Sequence, residues 1–510
     1  MKHLLFSFSD CKPGGLLLTG RSERRFAIMR KITFIFSLLF FAATALADVQ
    51  INETNFPDEN FRKILQRDYG GKGVITDAEI ANTTFISVTG DSISDLTGIK
   101  FFSNLQSLFC GANQLTSLDV SGLANLESLY CNFNRLVSLN MSGLSKLKEL
   151  VCNNNALTSL DVSGLTNLEC LACHQNFELT SLDVSGLTNL EQLFCYMNYK
   201  LASLNMSGLT NLRVLQCHEN QLASLDVSAL TNLQELQCWD NRLTSLNVSG
   251  LSNLRELVCV ENKLTSLDVS GLTNLEKLSC SNNQLASLHV SDLPNLKTLY
   301  CYDNVLTSLE VSGLTNLENL GCSQNQLTSL DVFGLNNLKY LSCDDNQLSL
   351  LDVSGLASLE GLYCDYNHLI LLDLTNNNSL RLFSGENQTP ALTLTGREDN
   401  YTLAIDLNNP AELVFGLSYE NGILTSTSNA ITSSSFEVDT GNPDFTLSGT
   451  MNLNYITEAS ILKIRNKNKQ VVGYYDFMGI KLGKEPQSGV YIVVYSDGKA
   501  EKRMQRNAGR

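Results

Sequence analysis

Apolar and polar residues along the middle of the chain follow a unit that repeats every 21 residues. Each unit has the order L-x-x-L-x-C-x-x-N, with leucines five and two positions before a cysteine and an asparagine three positions after it. The first complete unit shows this order at Leu105, Leu108, Cys110 and Asn113. The repeating cysteines are Cys110, Cys131, Cys152, Cys173, Cys195, Cys217, Cys238, Cys259, Cys280, Cys301, Cys322, Cys343 and Cys364.

This alternation predicts a short strand around each cysteine, with Leu and Cys on one face and their neighbours on the other. One unit cannot bury its own leucines, but parallel strands stacked about 4.8 Å apart merge the small apolar faces into one core. Two steps are 22 residues long, and the extra residue lies near Phe177 or Tyr199, where a bend can absorb it. A period of this length is typical of leucine-rich repeats. We predict an α/β-type solenoid, a leucine-rich repeat horseshoe of about 14 repeats, over residues 84–390.

The repeated asparagine and cysteine are expected to have structural roles. The asparagine amide can satisfy backbone groups that the bend after each strand leaves unpaired. The cysteine occupies a core position as a small apolar residue. Neighbouring thiols project in parallel and fit a disulfide poorly, so we expect buried, reduced and unreactive side chains.

One cysteine pair imitates a haem-attachment sequence. Residues 170–174 read Cys-Leu-Ala-Cys-His. Cys173 is the repeating cysteine of its unit, and Cys170 lies three residues earlier in the same strand, so the two sulfurs should project from opposite faces. Haem attachment needs both sulfurs beside the histidine. We therefore expect neither haem nor another redox cofactor here.

The repeats resemble the internalin-like bacterial leucine-rich repeat proteins of the cysteine-ladder type. The matching segments are LESLYCNFN (126–134), LQELQCWDN (233–241) and LEKLSCSNN (275–283), each followed by a SLDVSGL-like return. The resemblance covers roughly residues 84–390. It implies a secreted or cell-surface, adhesin-like binding protein without catalytic apparatus, and it does not identify a ligand.

The N-terminal sequence predicts export. From Met29 onward, basic residues precede a mostly apolar run that ends in Ala-Leu-Ala, which is typical of a signal peptide over residues 29–47 with cleavage after Ala47. We expect Met29 to be the true initiator and residues 1–28 to be a mis-assigned upstream extension. No later segment is apolar enough for a transmembrane helix, so we expect none in the mature chain.

Residues 48–83 are predicted to form a helical cap that covers the open end of the solenoid. Within them, residues 55–69 read as an amphipathic helix for which Asp58 is the capping residue. The apolar stripe of this helix consists of Phe61, Ile64 and Leu65.

After the repeats, alternating residues between Asn, Gly and Ser turns predict a β-rich capping domain over residues 391–455 and a second β-rich domain over residues 456–510. The second domain resembles the C-terminal sorting domains of Bacteroidetes type IX secretion cargo through YDFMGIKL (475–482) and GVYIVVY (489–495), although the arginine usual after Gly479 is missing. The resemblance implies a contact with export machinery. The alternative is that these strands are only the last hairpins of the capping domain.

Residues that flank the inward Leu and Cys should form the outer, normally concave, face of the parallel sheet. This face holds most of the aromatic residues of the solenoid, together with carboxylates. Exposed aromatic residues favour interfaces or sugar stacking, although β-propensity alone could also place them there. The candidate ligand-binding residues are Phe109, Tyr130, Phe194, Tyr196, Trp239, Tyr300, Tyr302, Tyr340, Tyr363, Asp344 and Asp365.

Charge and composition limit the function further. With 36 basic and 52 acidic residues, the net charge of −16 disfavours nucleic acid and anionic membranes. The five histidines have no zinc-site spacing; His174 and His218 share a column but should lie roughly 10 Å apart. We expect no enzyme, metal or cofactor. The favoured function is recognition of a protein or glycan on a host or neighbouring cell; the alternatives are a structural surface-layer protein and a glycan-capturing nutrient-acquisition protein.

Overall fold

A computed structural model describes residues 48–397, 400–405, 417–420, 422–427, 429, 432–440, 442–457, 471–475, 481–482, 489–495 and 500–505. The predicted signal peptide and upstream extension lie outside these residues. The described residues divide into two compact units, the first ending at Asn241 and the second beginning at Arg242. Each unit is described separately below.

The first unit begins with a small helical segment. The helix Glu59–Asp68 has Asp58 as its N-cap, and the Asp58 carboxylate accepts a hydrogen bond from the Phe61 backbone N–H at 3.0 Å. Its apolar stripe is buried, which confirms the predicted helix and its inward face. The other Asp58 oxygen accepts hydrogen bonds from the backbone and hydroxyl of Ser94, at 2.8 and 2.9 Å. That this segment acts as a cap remains a prediction.

A second helix in this segment was not predicted. Asp77–Asn82 begins at Thr76, whose hydroxyl accepts a hydrogen bond from the Glu79 backbone N–H while the Glu79 carboxylate accepts one from the Thr76 backbone N–H. This reciprocal capping satisfies two backbone donors and starts a helix that is too short for a periodic apolar pattern. Two strands, Val49–Gln50 and Val74–Ile75, pair antiparallel beside the helices.

Parallel strands of three residues make up the solenoid of the first unit, and each pairs in register with its neighbours. These strands are Phe85–Ser87, Ser107–Phe109, Ser128–Tyr130, Glu149–Val151, Cys170–Ala172, Gln192–Phe194, Val214–Gln216 and Glu235–Gln237. The return segments form shorter parallel pairs, Ser117–Asp119 with Ser138–Asn140 and Ser181–Asp183 with Ser203–Asn205. A 3-10 helix, Ile99–Phe101, precedes the first complete repeat.

The second unit continues the same pattern of parallel three-residue strands paired in register. Its solenoid strands are Glu256–Val258, Lys277–Ser279, Thr298–Tyr300, Asn319–Gly321, Tyr340–Ser342, Gly361–Tyr363 and Leu382–Ser384. Both units are therefore built from the parallel-strand turns that the 21-residue period predicted.

The asparagine of each turn has the predicted structural role. Asn134, for example, donates from Nδ2 to the carbonyl oxygens of Cys110 and Cys131, at 3.0 and 3.1 Å, and accepts from the Leu115 backbone N–H at 3.0 Å. One side chain thus joins two consecutive turns and pairs backbone groups that would otherwise be buried without partners. In the last turn, Gln388 replaces the asparagine and donates to the Cys364 carbonyl oxygen at 2.7 Å.

The thirteen repeating cysteines are buried free thiols, as predicted. Burial raises the pKa of Cys110, Cys173, Cys259 and Cys301 to about 12. A thiol with so high a pKa supplies almost no thiolate near neutral pH, and thiolate is the form that reacts. The cysteines therefore act as packing residues.

The C-terminal part of the second unit is rich in strands, in agreement with the sequence pattern. One sheet has the spatial order Leu417–Glu420, Ile423–Ser426, Asn400–Ala404, Ala391–Arg397, Thr446–Thr457 and Ser433–Asp439. A second, antiparallel sheet has the order Lys481–Leu482, Val471–Tyr475, Gly489–Tyr495 and Ala500–Gln505. The predicted domain boundaries and the export role of the last residues remain predictions.

Candidate binding surfaces on the outer strand face

The outer strand face is the surface formed by residues on either side of the inward Leu and Cys. In the first unit, four rings on this face stack on one another, each directly after the cysteine of its turn. Tyr196 lies between His174 and His218, with ring centroids 4.2 and 4.5 Å apart and interplanar angles of 11° and 13°. The His218 ring stacks in turn on Trp239, at 4.2 Å and 9°. We call these four residues the ring column.

The stacking determines what the ring column can offer a ligand. The faces of Tyr196 and His218 are each covered on both sides by a neighbouring ring. A sugar or a partner side chain cannot stack on a face that is already occupied, so these two rings present only their edges. Their packing resembles that of core residues, in which aromatic contacts add to stability.

Burial keeps the two histidines of the ring column neutral. It lowers the pKa of His174 to about 3, with a further contribution from His218, and lowers the pKa of His218 to about 4. The Nδ1 atom of each ring is buried without a hydrogen-bond partner. The nearest carboxylate to His218 is that of Glu219, whose Oε1 lies 3.7 Å from Nδ1. Both rings therefore behave as apolar packing groups at neutral pH.

The other candidate residues of the first unit are also partly covered. The Phe109 ring packs against Tyr130 at 4.5 Å, and the Tyr130 hydroxyl donates to the Glu149 carboxylate at 2.8 Å. Burial, together with this hydrogen bond, raises the pKa of Tyr130. Phe194 is half-buried, in register with Ala172.

The two turns with an extra residue carry a separate exposed pair. Phe177 and Tyr199 stack at 5.2 Å with an interplanar angle of 5° and are 47% and 48% exposed. The sequence predicts that a bend accommodates the extra residue of each of these two turns. The insertion instead brings an aromatic residue to the surface in each of two consecutive turns.

The tyrosines of the second unit are more open. Tyr302, Tyr340 and Tyr363 are 37%, 41% and 37% exposed, and Tyr300 is half-buried. The described residues show no ring stacked on any of the four. Together with Asp344 and Asp365 they form what we call the tyrosine face.

Glycines in the neighbouring turn make room for two of these tyrosines. A Cβ at Gly321 would lie 2.9 Å from Tyr300 Cδ1, and a Cβ at Gly361 would lie 2.8 Å from Tyr340 Cδ1. Each ring therefore lies over backbone that only glycine leaves uncovered. The Tyr340 hydroxyl donates to the Glu360 carboxylate at 3.1 Å, which fixes the direction of the ring.

Serine hydroxyls hold the two carboxylates of the tyrosine face. Asp344 Oδ1 accepts hydrogen bonds from the Ser323 and Ser342 hydroxyls at 2.9 and 2.8 Å. Asp365 Oδ1 accepts from the Ser384 hydroxyl at 2.8 Å and from the Glu386 backbone N–H at 2.7 Å. These bonds orient both carboxylates through Oδ1, and the described residues make no hydrogen bond to either Oδ2 atom.

The haem-like sequence is not assembled into a haem site. Cys170 pairs in register with Glu149 and Gln192 of the outer strand face, whereas Cys173 lies in the core column of thiols. The His174 ring belongs to the ring column. Among the described residues, no group of three or more His, Cys, Asp or Glu side chains is placed to hold a metal ion.

Comparison with known proteins identifies the fold. The model for leucine-rich repeats matches residues 252–295, 273–314 and 294–334. The structure is similar to the functional domain of internalin J from Listeria monocytogenes, which includes a cysteine ladder, with a TM-score of 0.65, 29% identity and coverage of 81% of this chain and 99% of that chain. This chain is a leucine-rich repeat solenoid with a cysteine ladder.

Two further structures share the solenoid fold. Internalin F of Listeria monocytogenes gives a TM-score of 0.53 at 24% identity, covering 68% of this chain and 99% of that chain. The leucine-rich repeat protein LIC12759 of Leptospira interrogans gives 0.54 at 25% identity, covering 62% and 91%. A comparison with curated protein sequences finds no significant match. Within the described part of the leucine-rich repeat protein, no helix is long and apolar enough to cross a membrane.

The repeat columns of the sequence predict most residues of the outer strand face but not which of their rings stack on one another. His174 and His218 share one column of the sequence, and their spacing alone excludes only a common metal ion. The residue between them, Tyr196, sits in the same column and could have suggested a stack. Gly321 and Gly361 carry a signal as well, because they are glycines in columns that otherwise hold side chains.

Proposed function

We propose that this leucine-rich repeat protein is a secreted or cell-surface, adhesin-like protein that binds a protein partner through its tyrosine face. The internalin-like fold suggests a protein-binding surface protein. The proposal that the tyrosine face binds the partner rests on one observation. Tyr302, Tyr340 and Tyr363 are exposed on the outer strand face, and no ring among the described residues covers them.

Tyrosine suits this role because its ring contributes a large apolar contact area, while its hydroxyl remains hydrogen-bonded to the protein or to water. Tyrosines are enriched among the residues that dominate interface energy. The glycines under Tyr300 and Tyr340 let the rings lie close to the sheet, so less side-chain freedom remains to be lost on binding.

The charge of the tyrosine face favours a basic partner. Asp344 and Asp365 belong to adjacent turns, and their serine contacts fix them before a partner arrives. The chain as a whole carries a net charge of −16, which steers a positively charged surface toward it. A lysine- or arginine-bearing protein surface would complement both features.

The test compares variants of the full chain in capturing biotinylated surface proteins from epithelial cells, quantified by mass spectrometry. The double variant Tyr302→Ala, Tyr340→Ala should lose the specifically captured protein, and purified partner should then bind it at least about tenfold more weakly in calorimetry. Phe333→Ala is the matched control, because Phe333 is 82% exposed and lies on the return segment of its turn. Equal capture by the double variant would contradict the proposal.

Export is a separate part of the proposal, and it rests on the sequence of residues 29–47. Mass spectrometry of the protein recovered from the culture medium or cell surface should find Asp48 as the mature N-terminus. Recovery of the chain only from the cytoplasm with its leader intact would contradict secretion and would leave the binding test unaffected.

A further inference from the structure

A polar groove in the second unit is not explained by the tyrosine face. It has a volume of about 760 Å³ and lies between the last turns of the solenoid and the hairpin formed by Ser433–Asp439 and Thr446–Thr457. This size is ordinary for a ligand site. We call it the junction groove.

The base of the junction groove is held by backbone hydrogen bonds. The Gln388 backbone N–H donates to the Ser448 carbonyl oxygen at 3.0 Å, and the Thr450 backbone N–H donates to the Gln388 carbonyl oxygen at 2.7 Å. A Cβ at Gly449 would lie 2.0 Å from the Gln388 oxygen, so only glycine allows this approach. The Gln388 side chain is itself anchored to the last cysteine turn. The two walls are therefore fixed relative to each other.

Polar side chains and one aromatic ring line the walls of the junction groove. The solenoid wall presents an aromatic ring, a carboxylate and an amide, and the hairpin wall presents hydroxyls and a carboxylate, all of them exposed. No aliphatic or cationic side chain lines the groove among the described residues. The main lining residues are Tyr366, Glu386, Asn387, Ser435, Glu437 and Thr450.

Tyr366 is one of two aromatic residues in its column, and the other is Phe133. The position two residues after the cysteine has a left-handed backbone in every turn, and Tyr366 has φ of 52°. Such a backbone favours Asn and Asp and is unfavourable for a bulky residue. The other residues of this column are Ala112, Phe133, Asn154, Gln175, Met197, Glu219, Asp240, Glu261, Asn282, Asp303, Gln324, Asp345 and Asn387.

Core packing of the Tyr366 side chain does not offset the strain of its left-handed backbone. Its side chain is 60% exposed, so it contributes little to the core. Phe133 has the same backbone and a similar exposure, so these two features alone do not indicate a ligand. What indicates a ligand is the place of the Tyr366 ring on the wall of a groove lined by hydroxyls, an amide and carboxylates.

We propose that the junction groove binds a neutral oligosaccharide. A sugar ring stacks on Tyr366, and its hydroxyls hydrogen-bond to Glu386, Asn387, Ser435, Glu437 and Thr450. Carboxylates and amides bind sugar hydroxyls well, whereas the absence of cationic groups from the lining disfavours phosphates, sulfates and acidic sugars. The lack of aliphatic side chains disfavours lipids and apolar peptides. This site is distinct from the tyrosine face and its protein partner.

Electrophoresis of the full chain through native gels that contain galactomannan, xyloglucan, mixed-linkage β-glucan or xylan tests the proposal. At least one of these polysaccharides should retard the wild-type chain. Tyr366→Asn should weaken the retardation about tenfold or more, and Tyr366→Trp should preserve it. Tyr366→Asn should not impair folding, because asparagine occupies the same left-handed position in Asn154, Asn282 and Asn387.

Two control variants make the outcome specific. Phe133→Asn makes the same kind of change in the same column, at a ring that is 47% exposed in the first unit, and should leave the retardation unchanged. Tyr340→Ala, on the tyrosine face, should also leave it unchanged. Loss of retardation in Tyr340→Ala but not in Tyr366→Asn would assign glycan binding to the tyrosine face and overturn the groove proposal.

The proposal is also overturned if none of the polysaccharides retards the chain, or if octalysine binds the groove instead. A fluorescent octalysine peptide whose anisotropy rises with wild type and not with Tyr366→Asn would identify the groove as a site for basic peptides. Neither result would bear on the protein partner of the tyrosine face.

Discussion

The ring column of the first unit and the tyrosine face of the second unit both lie on the outer strand face of the repeats, yet the rings of one are covered and those of the other are open. In the ring column each ring stacks on the next, and both faces of the two middle rings are covered. On the tyrosine face, glycines and serines separate the tyrosines, and the rings stay open. An aromatic residue on a repeat surface is therefore a binding candidate only when the neighbouring turn leaves it uncovered.

The largest expected effect is on stability. Tyr196→Ala removes the ring between two imidazoles and should lower the free energy of unfolding by about 2–4 kcal/mol. Tyr302→Ala removes an equally large ring from the tyrosine face and should cost less than about 1 kcal/mol, because that ring is more exposed. Urea unfolding followed by far-UV circular dichroism measures both. Similar losses in the two variants would contradict the distinction between the two regions.

The next effect is a pH dependence confined to the ring column. His174 and His218 have lower pKa values in the folded chain than the ordinary value of 6.5. The unfolded chain therefore takes up protons first, and stability is fully present above pH 6.5 and falls as the pH decreases toward 4. The loss should approach about 1.4 kcal/mol per pH unit for each imidazole.

The double variant His174→Gln, His218→Gln sharpens this prediction. It removes the two titrating rings, so its urea midpoint should change less between pH 6.5 and pH 4.5 than that of the wild type. The slope with pH is the quantity to compare, because the variant also alters stacking. An unchanged slope would show that carboxylates elsewhere control the acid sensitivity.

A smaller effect is expected from replacing Gly361, the glycine beneath the Tyr340 ring. Gly361→Ala places a Cβ against the Tyr340 ring and should cost about 1 kcal/mol of stability or less, because the ring can swing away. The displaced ring should nevertheless weaken partner binding. Gly355→Ala is the matched control, since a Cβ there meets nothing within 4 Å. Equal partner affinity for the two variants would contradict a role for the glycine.

The fold could be predicted because its causes are local and repeated thirteen times. The spacing of Leu, Cys and Asn determines which side chains face the core, and the buried thiols and asparagine bonds follow from it. The helix Asp77–Asn82 was missed because its capping box, rather than an apolar period, starts it. Gln388 was missed because the last turn keeps the 21-residue spacing but replaces its marker residues: Phe383, Gly385 and Gln388 stand where the other turns have Leu, Cys and Asn.

The candidate site was predicted only as a set of positions. The repeat pattern places Tyr196 and Tyr302 on the same face, but it does not show that a neighbouring ring covers Tyr196 and leaves Tyr302 open. Covering depends on the residue at the same position in the next turn, which is His218 for Tyr196. Tyr366 was overlooked because its groove needs the hairpin wall, which comes from a distant part of the sequence.

The most direct measurement of the central claim is hydroxyl-radical footprinting of the native full chain, read residue by residue by mass spectrometry. Relative to its rate in the urea-unfolded chain, each of Tyr302, Tyr340 and Tyr363 should be oxidised several-fold faster than Tyr196 and Trp239. Oxidation of Tyr196 and Trp239 at the rate of the three tyrosines would contradict the claim that the ring column is packed and the tyrosine face is open.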